Sequence, residues 1–256
     1  MVKNGEKSMF KGIKSLKEFI YGKGLRLNLI EIILEKMVLA PMVATAEKPN
    51  SGVLPMESTP FGKTYKEWSE EWWKWILSIP SDRNPLSDDG SGEFCAEGQS
   101  GKVWFLAGSW VGTEELKCEV PAGKALFFPI INTECSKIEG YGKTEQDFCS
   151  SAKSQMDTIT ETKVTVDGKE LKCYRVESKL FVFKLPSDNV LEEFDYIIPD
   201  FRGTRSSPTV SDGYWIMLAP LSKGKHVVCI YDKVEGVMPD GSDFETEMTY
   251  NLDVHP

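Results

Sequence analysis

The chain has 256 residues, 41% of them hydrophobic, with 30 basic against 39 acidic side chains and a net charge of -9. That length buries a full-sized core, in one large domain or two small ones. The acidic balance argues against non-specific binding to nucleic acid or to an anionic membrane, since both need a basic face, and no window supplies the roughly 18 uncharged apolar residues of a membrane span.

The first 50 residues differ from the rest. Lys3, Lys7, Lys11, Lys14, Lys17 and Lys23 make a basic start, an apolar segment runs from Leu25 to Ala46, and Ala44-Thr45-Ala46 closes it. These are the three parts of a secretory signal, interrupted by Glu31, Glu35 and Lys36. The same residues also read as an amphipathic helix, so residues 1–50 are a signal-like or accessory segment. Glu47 to Lys63 is rich in Pro, Gly, Ser and Thr and reads as a linker. The expected domain organisation is therefore a single β-sandwich domain over residues 51–256.

The clearest element is TYKEWSEEWWKWILSIP. Thr64 with Glu67 three places on predicts a capping box, and Trp68, Trp72, Trp75, Ile76 and Ile79 fall on one helical face. Pro80 ends the helix. Trp73 lies off the stripe, which makes it a candidate for an exposed role.

A polar loop, Ser81 to Gly101, leads to the two most apolar runs, Val103–Ala107 and Ala125–Ile131, which read as buried strands with a short strand between them. Pro129 cannot donate to a ladder, so the second strand is bulged there or lies at an edge. A second helix is expected over Thr144 to Thr160, with Cys149, Ala152, Met156 and Ile159 on one face. Asp167-Gly168 predicts a type I′ turn between Lys163–Val166 and Glu170–Val176. Leu180–Leu185 is a strand, Pro186 to Asp212 has no regular pattern, and Gly213–Leu218 with His226–Tyr231 reads as a hairpin. A long strand from Asp243 to Val254 closes the chain. Many short strands with glycine turns predict a mainly β protein, a jelly-roll-like or Ig-like β-sandwich with two added α-helices.

Six cysteines and no Cys-x-x-Cys pair argue against zinc and leave disulfides or six ordinary buried thiols, with disulfides the favoured reading. The expected pairs are Cys95–Cys118, Cys135–Cys149 and Cys173–Cys229. Disulfides go with an oxidising compartment.

The segments WSEEWWKWILSIP, NPL, CAEGQSGKVWFLAGSW, CEVPAGKALFFPIINTEC and DGYWIMLAPLSKGKH resemble a family of predicted secreted proteins of bacteria and archaea with no assigned activity. The resemblance covers roughly residues 64 to 254. It implies export and a mature domain starting near residue 50, and it supplies no catalytic residues.

Chemistry is expected just outside the apolar runs. Asn132 and Glu134 stand where the second run leaves the core, and Glu134 with His226 would make an acid/base pair if the fold joins them. With only His226 and His255 in the chain, any serine or cysteine triad must use one of the two. Trp73 and Trp110 are the candidates for stacking on a sugar. Two acidic loops, at Asp88–Glu93 and at Asp240, Asp243 and Glu245, offer oxygen ligands for calcium, though Asp-Gly is equally ordinary turn chemistry. No other cofactor is expected. The leading expectation is a non-enzymatic, secreted or cell-surface module that binds a glycan or a surface partner. The alternatives are a secreted hydrolase using carboxylates with or without His226, and a structural envelope protein.

Overall fold

A computed structural model of the protein describes residues 52–108, 113–193, 205–236 and 241–256. The chain divides into two units, Met1–Ser51 and Gly52–Pro256. The first lies outside the described residues, and with it the signal-like segment.

The second unit is a mainly β protein, two packed sheets with helices added. The central sheet has the order β1 (Val103–Phe105), β3 (Ala125–Ser136), β8 (Arg205–Leu218), β6 (Tyr174–Glu177), with β7 (Phe181–Leu185) on the same edge of β8 as β6. The outer sheet has the order β2 (Thr113–Pro121), β10 (Phe244–His255), β9 (Gly224–Val234), β4 (Glu161–Val166), β5 (Lys169–Leu171). Pairing is antiparallel except for β1 with β3 and β2 with β10.

The central sheet is covered on both faces because β3 and β8 are apolar at successive positions. Ala125, Phe127, Trp215 and Met217 point to one side, and Leu126, Phe128, Ile216 and Leu218 point to the other. The first side receives α1 (Tyr65–Ser78), the second the outer sheet. Pro129 produces the expected irregularity: the β3–β8 register shifts between Pro129 and Ile131. Beyond it, α2 (Glu145–Met156) packs Phe148 and Ala152 against Cys135 and Val210.

Helix α1 forms for the reasons its sequence gives. Thr64 and Glu67 make a complete capping box, and Trp72, Trp75, Ile76 and Ile79 are buried. The indole N–H groups of Trp72 and Trp75 donate to the carbonyls of Leu106 and Glu97, each at 2.9 Å. At the other end Asn84 is fully buried. Its amide donates to the carbonyls of Ile76 and Ile79 at 2.8 and 3.0 Å, which satisfies helix-terminal acceptors. This gives the Asn-Pro-Leu segment a structural role.

Several expectations need correction. Trp73 is 3% exposed and packs its ring edge-on to Trp72 at 5.0 Å, so it belongs to the core. The cause is that α1 lies on β7 as well as on β3 and β8, which demands an apolar face wider than one stripe. Residues Arg205–Asp212 are the first half of β8, not an irregular segment, and Val190–Glu193 is a four-residue helix, α3. Strands β8 and β9 are not a hairpin, because the chain crosses between sheets after Leu218. The strand read over Glu170–Val176 likewise splits, β5 staying in the outer sheet and β6 joining the central one.

Of the three cysteine pairs, Cys95–Cys118 is present. Cys135 and Cys149 sit in one apolar cluster as thiols. The Cys135 sulfur accepts from Gln155 Nε2 at 3.1 Å, while Cys149 faces Glu177. Cys173 and Cys229 are also thiols, and strand parity keeps them apart. Val228 and Ile230 face the sandwich core, so Cys229 points to the outside of the outer sheet, whereas Cys173 packs on the core side.

Candidate functional site

Four segments meet at the β6 edge of the central sheet and leave an open groove of about 860 Å³. Met56 and Glu57 come from the chain leading into α1, and Lys66, Glu67 and Glu70 from the first turns of α1. Lys153 comes from α2, and Arg175, Glu177, Lys179 and Leu180 from β6 and its junction with β7. The junction is a bulge. Glu177 pairs with Asp212 and Phe181 with Thr209, so three residues of one strand stand opposite two of the other. Lys179 and Leu180 are pushed out there, leaving Leu180 43% exposed opposite Met56 at 37%.

Arg175 organises the floor. Its Nε and Nη2 donate to Asp212 at 3.1 and 2.6 Å, and Nη1 donates to Asp157 Oδ1 at 2.8 Å. Asp212, ahead of Asp157, stabilises the charge on a guanidinium that is always protonated. Glu177 stands directly opposite Asp212, but both Asp212 oxygens are taken by Arg175. The facing carboxylates are therefore not two independent groups of the kind acid/base hydrolysis uses. On the opposite wall, burial raises the Glu70 carboxyl above its ordinary range, against the pull of Lys74.

The residues singled out from the sequence fall elsewhere. Asn132 and Glu134 lie on the α1 side of the central sheet, opposite Gly213 and Ser211 of β8. There Glu134, 5% exposed, accepts a hydrogen bond from the Thr209 hydroxyl within a buried set that includes Ser136, Ser207 and Ser211. The fit is close, since a Cβ at Gly213 would come within 2.6 Å of the Asn132 Cβ.

His226 is bonded to other partners than Glu134. Its Nδ1 lies 2.7 Å from Asp167 Oδ2, and its Nε2 lies 2.9 Å from the Ser222 carbonyl and 3.3 Å from the Ser222 hydroxyl. Serine, histidine and aspartate in this order resemble a triad, but the chemistry differs. A carbonyl and a carboxylate are both acceptors, so the site favours the imidazolium, the form in which both ring nitrogens donate. Partial burial works against that charge, yet the Asp167 hydrogen bond and the Ser222 carbonyl outweigh it and raise the pKa. A ring already protonated at Nε2 has no lone pair to accept the serine proton. The arrangement is a clamp between the β4–β5 turn and the crossover into β9.

Trp110 and Asp240 lie outside the described residues. Asp243 and Glu245 are occupied by Lys233, whose ammonium is 2.7 Å from Asp243 and 3.8 Å from Glu245. Asp88 accepts from the backbone N–H groups of Gly90, Gly92 and Phe94 at 2.9 to 3.0 Å, which organises its loop. Among the described residues no cluster of three metal-ligating side chains is found, and no helix is long and apolar enough to cross a membrane. Burial raises the pKa of the Cys149 thiol, with Glu177 adding to it, so this thiol is the protonated and unreactive form.

Sequence reasoning missed Met56, Arg175, Lys179 and Leu180. One signal was available: Leu180-Phe-Val-Phe183 places apolar residues at four successive positions, and a strand with one buried face has no use for four. Asp232 was also missed. It is 2% exposed on the inner face of the outer sheet, accepts from Thr246, and burial pushes its pKa up to about 6.

No protein-family model, curated protein or solved structure matches the chain.

Proposed function

We propose that this protein is an exported, non-enzymatic binding module that takes a protein partner in the groove beside β6. The observation that carries the reading is the composition of the groove wall. Two exposed apolar side chains, Met56 and Leu180, stand among charges of both signs, as in the mixed surface of a protein contact site. Export is supported by the Cys95–Cys118 disulfide and by the resemblance to secreted proteins.

A protein partner is favoured over a glycan. Sugar stacking needs an exposed aromatic platform, and Phe61 is the one exposed large aromatic side chain among the described residues. Tyr65, the aromatic residue lining the groove, is buried with its hydroxyl bonded to the Leu54 carbonyl and the Met217 N–H. Binding is favoured over hydrolysis because Arg175 occupies Asp212 and Glu134 and His226 are held by separate partners.

The test screens the full chain against a displayed random-peptide library and a glycan array in parallel. Peptide ligands are expected, and Leu180→Asp weakens them at least tenfold, about 1.4 kcal/mol. Ligands from the glycan array alone, or peptides that bind the Leu180→Asp variant equally well, overturn the reading.

A further inference from the structure

The other sheet edges are closed by specific devices. Along β2, the loop from Asp88 to Cys95 presses so close that a Cβ on Gly90 would lie 2.7 Å from the Glu115 carbonyl oxygen, and one on Gly92 2.5 Å from that of Lys117. The Cys95–Cys118 disulfide fastens this loop down. Along β1, the Gln99 side chain acts as a strand partner, its Oε1 accepting from the Phe105 N–H at 3.0 Å and its Nε2 donating to the Phe105 carbonyl at 2.8 Å. Strand β5 is three residues long. Short, charged or covered edges are how proteins avoid unwanted pairing.

The β6 half of the remaining edge is different. Ser178 N–H donates to the Ser211 carbonyl at 2.8 Å, in register with Tyr174 opposite Trp215. In an antiparallel ladder every second residue bonds to the neighbour. Tyr174 and Val176 are therefore turned to β8, and the backbone N–H and C=O of Arg175 and Glu177 face the groove.

The groove is also charged. Asp212 neutralises Arg175 and Asp157 neutralises Lys153. Lys74 lies 3.8 Å from Glu70, so Glu57, Glu67 and Glu177 remain against Lys66 and Lys179, an excess of one negative charge in a chain whose net charge is -9. We infer that the groove receives an extended, basic segment of another protein, which adds as a strand to the free edge of β6. This rests on the protein-binding reading above and names its mode: main-chain hydrogen bonds to Arg175 and Glu177 supply affinity, and the carboxylates select basic side chains. The bulge and Lys179 confine the addition to the four residues of β6.

The test uses the full chain and two synthetic heptapeptides in which valine alternates with lysine or with glutamate. The lysine peptide is expected to bind at least tenfold more tightly than the glutamate peptide, and N-methylation of alternate residues to abolish binding in one register and spare it in the other. On the protein, Glu177→Pro removes the outward N–H from an edge position where proline is tolerated, and the lysine peptide loses at least tenfold. Glu177→Gln, which keeps that N–H, loses less than about threefold. A melting curve shows whether Glu177→Pro is folded, and the N-methylated peptides decide the matter if it is not. Equal binding of the two heptapeptides, indifference to both backbone changes, or no saturable binding of either peptide by about 1 mM overturns strand addition. So does a concentration-dependent dimer abolished by Glu177→Pro, which would place a second copy on the edge. If library peptides still lose affinity on Leu180→Asp in any of these cases, the groove remains a protein-binding site and only the mode is wrong.

Discussion

Along β2, a loop approaches the strand so closely that two positions facing it admit only glycine, and a disulfide and an aspartate hold the loop in place. Along β6, the flanking helices stand back and leave backbone groups of Arg175 and Glu177 facing an open groove. Both strands are edges of the same sandwich and both carry charged residues, so the difference does not come from strand composition. It comes from what the rest of the chain contributes. Covering β2 occupies the segment from Asp88 to Cys95 and the disulfide partner at Cys118. An edge closed with that much sequence shows that this fold needs its edges managed. The edge left bare is then the place to look for a partner.

The comparison breaks most severely where the cover is fastened. Removing the disulfide by Cys95→Ala with Cys118→Ala releases a link between residues 23 apart in sequence, and for a loop of that size the expected loss is about 3 kcal/mol. For a unit of this size the midpoint falls by about 6–12 °C. Calorimetry of the double variant checks the loss, and hydrogen exchange at β2 checks its location, with faster exchange expected there than at β9. An unchanged midpoint would mean that the loop is held by its hydrogen bonds alone.

Much of the guarded region was legible in the sequence, and little of the bare one. The Thr64 capping box, the Pro129 irregularity and the Asp167-Gly168 turn are local, each written in a few adjacent residues, and the Cys95–Cys118 pair spans only 23 positions within one stretch of the chain. The two turn residues indeed adopt the positive φ values a type I′ turn needs, 52° and 74°. The groove is built from four distant segments, and no periodicity reports which of them meet. The first half of β8 escaped for a related reason. Its buried face carries Ser207, Thr209 and Ser211, matched by Ser136 and Glu134 across the sheet, so it lacks the apolar alternation by which strands are recognised. Glycine turns after Leu218 look the same whether a chain folds back in its own sheet or crosses to another. That ambiguity produced the mistaken hairpin, and parity lost at Lys172–Cys173 helped produce the mistaken Cys173–Cys229 pair.

A smaller change sharpens the same contrast from inside the cover. Gly92 has φ 84°, and a Cβ there would meet the Lys117 carbonyl carbon and oxygen at 2.9 and 2.5 Å. Both are backbone atoms of a paired strand, so neither yields without disturbing the β2–β10 ladder. Gly92→Ala is expected to cost about 2 kcal/mol, from the positive φ and the steric clash together. Gly101, also at positive φ but with nothing within 4 Å of its would-be Cβ, is the control, and Gly101→Ala should cost about 1 kcal/mol. Denaturant titration of both variants measures the difference. Equal losses would mean that only backbone strain matters and that the loop does not press on the edge.

The smallest expected effect concerns the far edge of the outer sheet, where the His226 clamp holds the β4–β5 turn. His226 has its pKa raised in the folded protein, so its contribution is fully present below the unfolded value of about 6.5 and is lost as pH rises through the folded one. Asp167 behaves oppositely. Partial burial opposes its charge, but the His226 hydrogen bond and the Val227 N–H lower its pKa, so its share is present above about 4 and lost as pH falls through the lowered value. The pair is therefore strongest between about pH 4 and pH 6.5. Because half of the Asp167 side chain is exposed, solvent screening limits the effect to under about 1 kcal/mol. His226→Gln should lower the melting midpoint at about pH 5.5 and have a smaller effect at about pH 8.5, with the gap closing further in high salt. A deficit that is constant across this range would assign His226 a packing role with no charge in it, and the β5 edge would then be guarded by its short length alone.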